Sequence, residues 1–120
     1  MTSYKELEVW QKSVGLSVEV YRATQRFPPE EKFGLTIQSR RAATSIPANI
    51  AEGWDRGSRK EYVQFLLVAR GSLMELETDL FIARELAYFT EQELQPLQAK
   101  IADVGKMLNR LIQALKKPIN

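Results

Sequence analysis

From Leu94 to Leu115 apolar residues recur at alternating steps of three and four, as Leu94, Leu97, Ile101, Val104, Leu108, Leu111 and Leu115. This spacing draws one edge of an α-helix over three heptads, and that edge needs another helix to cover it at a shallow crossing of ~20°. Met107 and Ile112 lie off the seam and widen it. Thr90 and Glu93 have the spacing of a capping box, in which a hydroxyl and a carboxylate satisfy the first free amides. Lys116 and Lys117 suit the negative end of the helix dipole. A helix is therefore expected from Thr90 to Lys117.

The rest of the chain reads the same way. Helix one is expected from about Tyr4 to about Arg26, opened by a Ser3–Glu6 capping box, with Leu7, Trp10, Val14, Val18 and Tyr21 as its inner face. Gly15 is a weak point worth ~1 kcal/mol against alanine, or a close helix contact. Helix three is expected from Ser58, with Glu61 completing a third box, to near Ala87. Its stripe runs through Tyr62, Phe65, Leu66, Ala69, Leu73, Leu76, Leu80 and Ala83, and Gly71-Ser72 in its middle allows a close helix approach. Phe27-Pro28-Pro29, Gly53 to Ser58 and Tyr88 to Thr90 punctuate the chain, and no segment has the period of a strand. These features predict an all-α, antiparallel up-down-up-down four-helix bundle, with residues 1–120 as one domain.

Helix two carries the most distinctive residues. It should begin after Pro28, with Glu30 and Glu31 at the positive end of its dipole. Gly34 to Gly53 reads GLTIQSRRAATSIPANIAEG, and Leu35, Ala42, Ala43, Ile46 and Ile50 lie close to one face. Pro47 removes the amide that would bond the Ala43 carbonyl, at ~3 kcal/mol for an interior proline, so a kink is expected there. Thr44 and Ser45 are the hydroxyls at hand for the distorted turn, and Gly53 is the expected stop. Gln38, Arg41, Ser45, Asn49 and Glu52 follow steps of three and four along one side, with Arg40 beside them. Two readings stand for this set. One is a ligand or RNA surface. The other, which Ser72 and Glu75 favour by offering partners of matching type, is a hydrogen-bonded network between helices two and three with Glu75 as counter-charge.

These motifs carry a family resemblance. Val9-Trp10, Phe27-Pro28, the Gly34–Gly53 stretch and ARGSLMELET at Ala69 to Thr78 resemble the four-helix-bundle proteins encoded within intervening sequences of bacterial large-subunit ribosomal RNA genes. The accessory variability protein of diversity-generating retroelements is related to them. The resemblance implies an up-down bundle assembled as a homopentameric ring. In the retroelement branch it also implies binding to nucleic acid and a reverse transcriptase through a positively charged ring.

Composition excludes several chemistries. The chain has no cysteine and no histidine, so it lacks a thiol nucleophile, the commonest general base and the commonest nitrogen metal ligand. Ser45 and Ser72 have no histidine partner and no lysine within reach on their own helices. Glu52, Glu75, Glu77 and Asp79 could supply carboxylates to a metal, but they are expected instead to pair with Arg40, Arg41 or the backbone. Phosphate-binding glycine loops are absent. No enzyme activity, cofactor, metal or small-molecule substrate is expected. No apolar run approaches the ~20 residues of a membrane span, and the N-terminus lacks a signal-peptide core, so the cytoplasm is the expected compartment.

Basic residues are the remaining candidates. Arg56, Arg59 and Lys60 cluster at the turn between helices two and three, and Lys106, Arg110, Lys116 and Lys117 lie along the end of helix four. Trp54 and Tyr62 flank the first cluster, either as stacking platforms or as core and interface aromatics. In a monomer with a net charge of +2 these cations read as a solvated face. Symmetry would repeat them into a belt for a polyanion. Self-association is expected because Val9, Leu16, Val20, Leu67, Val68, Phe81, Ile82, Met107 and Ile112 exceed one inner stripe per helix. The expectation is therefore a homo-oligomeric binding protein for RNA or a ribonucleoprotein. The alternative is a protein-interaction scaffold without a nucleic-acid role.

Overall fold

The computed structural model describes residues 2–118. Four helices carry it: α1 (Glu8–Thr24), α2 (Leu35–Trp54), α3 (Arg59–Glu85) and α4 (Glu91–Lys116). Short 3-10 turns at Tyr4–Glu6 and Pro29–Glu31 precede α1 and α2. Each helix packs on its sequence neighbours, and α4 returns to α1, so the helices form the four corners of an antiparallel bundle 52 Å long. One core of Leu16, Val20, Ile46, Ile50, Leu66, Leu73, Leu76, Leu80, Leu94, Ile101, Leu108 and Ile112 runs along its axis.

Helix one differs from the expectation in extent and in face. The Ser3–Glu6 capping box forms, but it closes only the first 3-10 turn. Leu7 is extended, and α1 starts after it. The buried side of α1 is Val9, Ser13, Leu16, Ser17, Val20 and Thr24, whereas Val18 and Tyr21 are exposed. Ser13, Ser17 and Thr24 return their hydroxyl protons to the carbonyls of Trp10, Ser13 and Val20, so they enter the interior without an unpaired donor. A stripe counted on apolar side chains alone therefore misses by a fraction of a turn.

The start of α2 is displaced as well. Glu31 lies in the 3-10 turn, where its carboxylate accepts the Leu35 amide at 3.0 Å and the Tyr88 hydroxyl at 2.7 Å. A single acid thus caps α2 and ties it to the α3–α4 connection. The helix then runs unbroken through Pro47 to Trp54. Ser17 Oγ, reaching across from α1, lies 2.9 Å from the Ala43 carbonyl that Pro47 leaves without its amide. Thr44 bonds the Arg40 and Arg41 carbonyls instead, and Ser45 turns to α3. Gly53 is not the stop. A Cβ there would come within 2.9 Å of Phe65 Cβ and 3.0 Å of Tyr62 Cδ1, so glycine lets α2 and α3 close together.

Ser58 caps α3 by accepting the Glu61 amide at 3.2 Å. The helix ends in a Schellman arrangement, with Tyr88 N–H on the Ala83 carbonyl and Ala87 N–H on that of Arg84. Ala87 there takes φ 62°, a conformation glycine adopts more cheaply. The Thr90–Glu93 box opens α4 in full. Ile112, expected off the seam, is buried, while Leu111 is half-buried. At 3.6 residues per turn, a straight helix drifts away from a strict heptad over this length.

Candidate nucleic-acid interface

The turn between α2 and α3 and the last turn of α4 lie at the same end of the bundle. Gly57, at φ 85°, lets the chain reverse there. Arg59 then extends its guanidinium to the backbone carbonyl of Lys117 at 3.3 Å. Two basic clusters that are far apart in sequence therefore form one. Arg56, Arg59, Lys60, Lys116 and Lys117 are all exposed. Lys106 and Arg110 continue the positive surface up α4 and are exposed too; Lys106, Arg110 and Lys117 recur at helical spacing over about 16 Å.

The charges are partitioned along the molecule. Ion pairs among the described residues join Arg22 to Glu19, Arg26 to Glu93, and Arg84 to both Glu85 and Glu91. All of them lie in the half that holds the α1–α2 and α3–α4 connections. At the other end, none of Arg56, Arg59, Lys60, Lys106, Arg110, Lys116 and Lys117 belongs to an ion pair among the described residues. Glu52, Asp55 and Glu61 share that end, where with Arg56 they line a shallow polar depression of about 350 Å³.

Aromatic groups at this end have structural roles. Trp54 and Tyr62 are half-buried and meet edge to face, with centroids 6.4 Å apart. Burial pushes the Tyr62 phenol up from its ordinary pKa, and its hydroxyl has no hydrogen-bond partner among the described residues. The Arg56 guanidinium lies 4.8 Å from the Phe65 ring centroid, which fixes its position while leaving its outer face to solvent.

The polar set of α2 divides. Ser45 Oγ meets Ser72 Oγ at 2.9 Å across the α2–α3 contact, and the Asn49 amide donates to the Ser45 carbonyl at 2.8 Å and to its hydroxyl at 3.0 Å. Arg40 turns to α1. Its Nε donates to Thr24 Oγ1 at 2.9 Å, a terminal nitrogen donates to the Tyr21 carbonyl at 3.3 Å, and the guanidinium stacks 4.6 Å from the Tyr21 ring centroid. Gln38, Arg41, Glu52 and Glu75 are exposed and stand outside this network.

The expected pairing of Glu75 with an arginine does not occur among the described residues. Nor do Glu52, Glu77 or Asp79 pair with Arg40 or Arg41. Antiparallel packing places Ser45 opposite Ser72, one heptad from Gln38 on α2 and from Asp79 on α3, and so decides which neighbours meet. Asp79 is buried and its Oδ2 is unpartnered among the described residues. Burial first, and the nearby Glu75 second, push its carboxyl pKa up. Among the described residues no three acidic side chains are grouped so as to hold a metal ion.

Sequence reasoning placed Glu31 at the start of α2 but did not find its bond to Tyr88, the role of Ser17 or the joining of the two basic clusters. Pro47 signalled that the Ala43 carbonyl needed a donor, but the donor's identity depends on the register between α1 and α2.

Comparison with known proteins adds the following. Residues 5–110 match the model of the 23S rRNA-intervening sequence proteins. A crystal structure of a protein with unknown function from the S23 ribosomal protein family of Bacteroides thetaiotaomicron superimposes with a TM-score of 0.80 at 24% identity, over 88% of this chain and 95% of that one. At this identity the likeness speaks to the fold. No curated protein matches the chain. The family match covers α1, α2, α3 and most of α4, including the Gly34–Gly53 motif and the Arg56–Lys60 cluster, and the chain belongs to the 23S rRNA-intervening sequence protein family.

Proposed function

We propose that this protein is a non-enzymatic, homo-oligomeric binding protein that engages RNA or a ribonucleoprotein with the basic end of its bundle. The observation that carries this reading is the Arg59–Lys117 contact, which merges two basic clusters whose cations lack carboxylate partners among the described residues. Cations not engaged in ion pairs are available to neutralise phosphates and release counterions, although Glu52, Asp55 and Glu61 at the same end offset part of their charge. The family's name points to the same class of partner. On this reading the chain is one domain and works in the cytoplasm; no described helix is long and apolar enough to cross a membrane.

Self-association, with five copies as the resemblance implies, would repeat the basic end into a belt. Two surfaces support it. Val18 and Tyr21 are exposed beside Val14 and Pro47 along an apolar groove between α1 and α2. On α3, Val68 and Met74 are exposed one turn to either side of Gly71, where a Cβ would meet nothing within 4 Å. A glycine inside a helix costs ~1 kcal/mol, and no contact in this fold requires it. A second copy packing there would give it a use.

The test is titration with a structured RNA at two salt concentrations, alongside light scattering. Binding that weakens steeply with salt, by an assembly larger than one chain, is expected. Absence of binding even at low salt removes the RNA reading, and a stable monomer at micromolar concentration removes the belt.

The scaffold reading keeps one observation in its favour. Phe33 is 87% exposed at the end opposite the basic cluster, the end that also carries the exposed Leu86. Under that reading, charge reversal at Arg56, Arg59 and Lys60 leaves activity in cells intact.

A further inference from the structure

Helix α3 is apolar on two sides. Opposite its buried stripe, apolar or small residues recur at steps of three and four from Val68 through Gly71, Met74 and Thr78 to Phe81, with Ile82 beside them, and all of them are exposed. A helix that is apolar all round is normally covered all round, and no described element of this chain covers that outer face. Glu75 stands on it one heptad from both Val68 and Ile82 and belongs to no ion pair among the described residues. The buried Asp79, one turn on, adds to the negative charge there. The outer face of α3 is therefore an apolar ridge with an acidic centre.

The seam between α1 and α2 has the complementary character. Val14, Val18, Tyr21 and Pro47 line a groove there of about 400 Å³, and Val18 and Tyr21 are exposed. Arg40 stands at its edge, stacked on the Tyr21 ring and bonded to Thr24 Oγ1 and the Tyr21 carbonyl. It too belongs to no ion pair among the described residues. Groove and ridge open on different sides of the bundle, so one molecule cannot seat its own ridge in its own groove. A second copy can.

The levels of the two faces agree. Ser17 is level with Ala43, and Ser45 with Ser72. Counting from these contacts at about 1.5 Å per residue, Val14 and Pro47 stand at the level of Gly71, Val18 at that of Glu75, and Tyr21 at that of Thr78. Arg40 falls within about 3 Å of the level of Glu75. A rotation about an axis parallel to the bundle keeps every residue at its own level. It would bring the bulky Pro47 and Val14 against Gly71, which has no side chain, and the unpaired cation against the unpaired acid.

We propose that the α1–α2 groove of one copy receives the outer face of α3 of the next, bundles parallel, with Arg40 pairing with Glu75 of the neighbouring copy. The contact is head-to-tail, joins two different surfaces, and closes into a ring when the rotation allows. It rests on the self-association proposed above and specifies which surfaces carry it.

The chain has no cysteine, so introduced thiols report the contact alone. The experiment treats Val18→Cys, Met74→Cys and the double variant with a short thiol–thiol crosslinker, alongside light scattering of each. The double variant should give a ladder of linked chains, and neither single variant should give linked pairs. Linked pairs from one single variant would mean that a face meets its own copy, which overturns the proposal. Absence of a ladder in a protein that scatters as an assembly also overturns it while leaving self-association standing; a single chain in light scattering removes both. Glu75→Arg should weaken association at least tenfold, and adding Arg40→Glu to the same chain should recover most of that loss. Undiminished association of Glu75→Arg counts against the proposal in the same way. Arg40→Glu also loses the bonds to Thr24 and Tyr21, so the ladder carries the test if that variant folds poorly.

Discussion

Ser17 Oγ lies 2.9 Å from the carbonyl oxygen of Ala43, the acceptor that Pro47 deprives of its helical amide. The proline and the serine sit on different helices and form one unit. The same hydroxyl lies 3.0 Å from the Ser13 carbonyl, so a single proton serves two acceptors. A proline that would weaken an isolated helix is accommodated by a donor from α1.

Ser17→Ala should destabilise the fold by about 1–3 kcal/mol, the range for a buried acceptor left unpaired. In the Pro47→Ala background the amide returns, and the same change should cost less than half as much. Denaturant unfolding of the four proteins of this cycle measures the coupling. Additive effects would mean that Ser17 and Pro47 act separately.

Gly53 and Ala87 should respond in opposite ways to exchange between glycine and alanine. Gly53→Ala gains helix propensity but drives a methyl to 2.9 Å from Phe65 Cβ and 3.0 Å from Tyr62, so a net destabilisation of about 1–3 kcal/mol is expected. Ala87→Gly relieves φ 62° and should gain about 0.5–1 kcal/mol. Tm measured at one protein concentration checks both. A Gly53→Ala protein more stable than the parent would show that the α2–α3 contact is looser than described.

Two carboxyls should give opposite pH dependences. Hydrogen bonds from Tyr88 and then the Leu35 amide lower the Glu31 pKa in the folded state. Its contribution is present above the unfolded value and is lost as pH falls through the folded one. Glu31→Gln should therefore lower Tm at pH 7, with the difference shrinking in acid. Asp79 is raised above its ordinary 3.8, so its charged form is disfavoured by folding. That penalty is absent below the unfolded value and complete above the folded one. Asp79→Asn should raise Tm by about 2–5 °C at pH 7 and have little effect near pH 3. Parallel pH profiles for the two variants would contradict both assignments.

If the basic end binds RNA, removing its cations should change the salt dependence as well as the affinity. Each phosphate that is no longer neutralised lowers the slope of log affinity against log salt by about 0.7–0.9. Arg59→Ala and Lys60→Ala should each do so, while Arg22→Ala, whose guanidinium is paired with Glu19 in the other half, should leave the slope unchanged. An equal effect of all three would mean that binding follows net charge and not this surface.

Element number, order and type were legible because they depend on local spacing. Thr90 and Glu93 announced α4, Ser58 announced α3, and the stripes of α3 and α4 named most of the core. The buried face of α1 was not legible, because Ser13, Ser17 and Thr24 satisfy their own hydroxyls and pack as small residues. The two basic clusters were each visible, but their union was not. Amphipathic periodicity determines that four helices form and which edge of most of them turns inward. Register between helices belongs to tertiary packing alone. It set Ser17 against Ala43, Ser45 against Ser72, Arg40 against Tyr21 and Arg59 against Lys117, because these contacts depend on sub-turn offsets between rods that no single rod encodes.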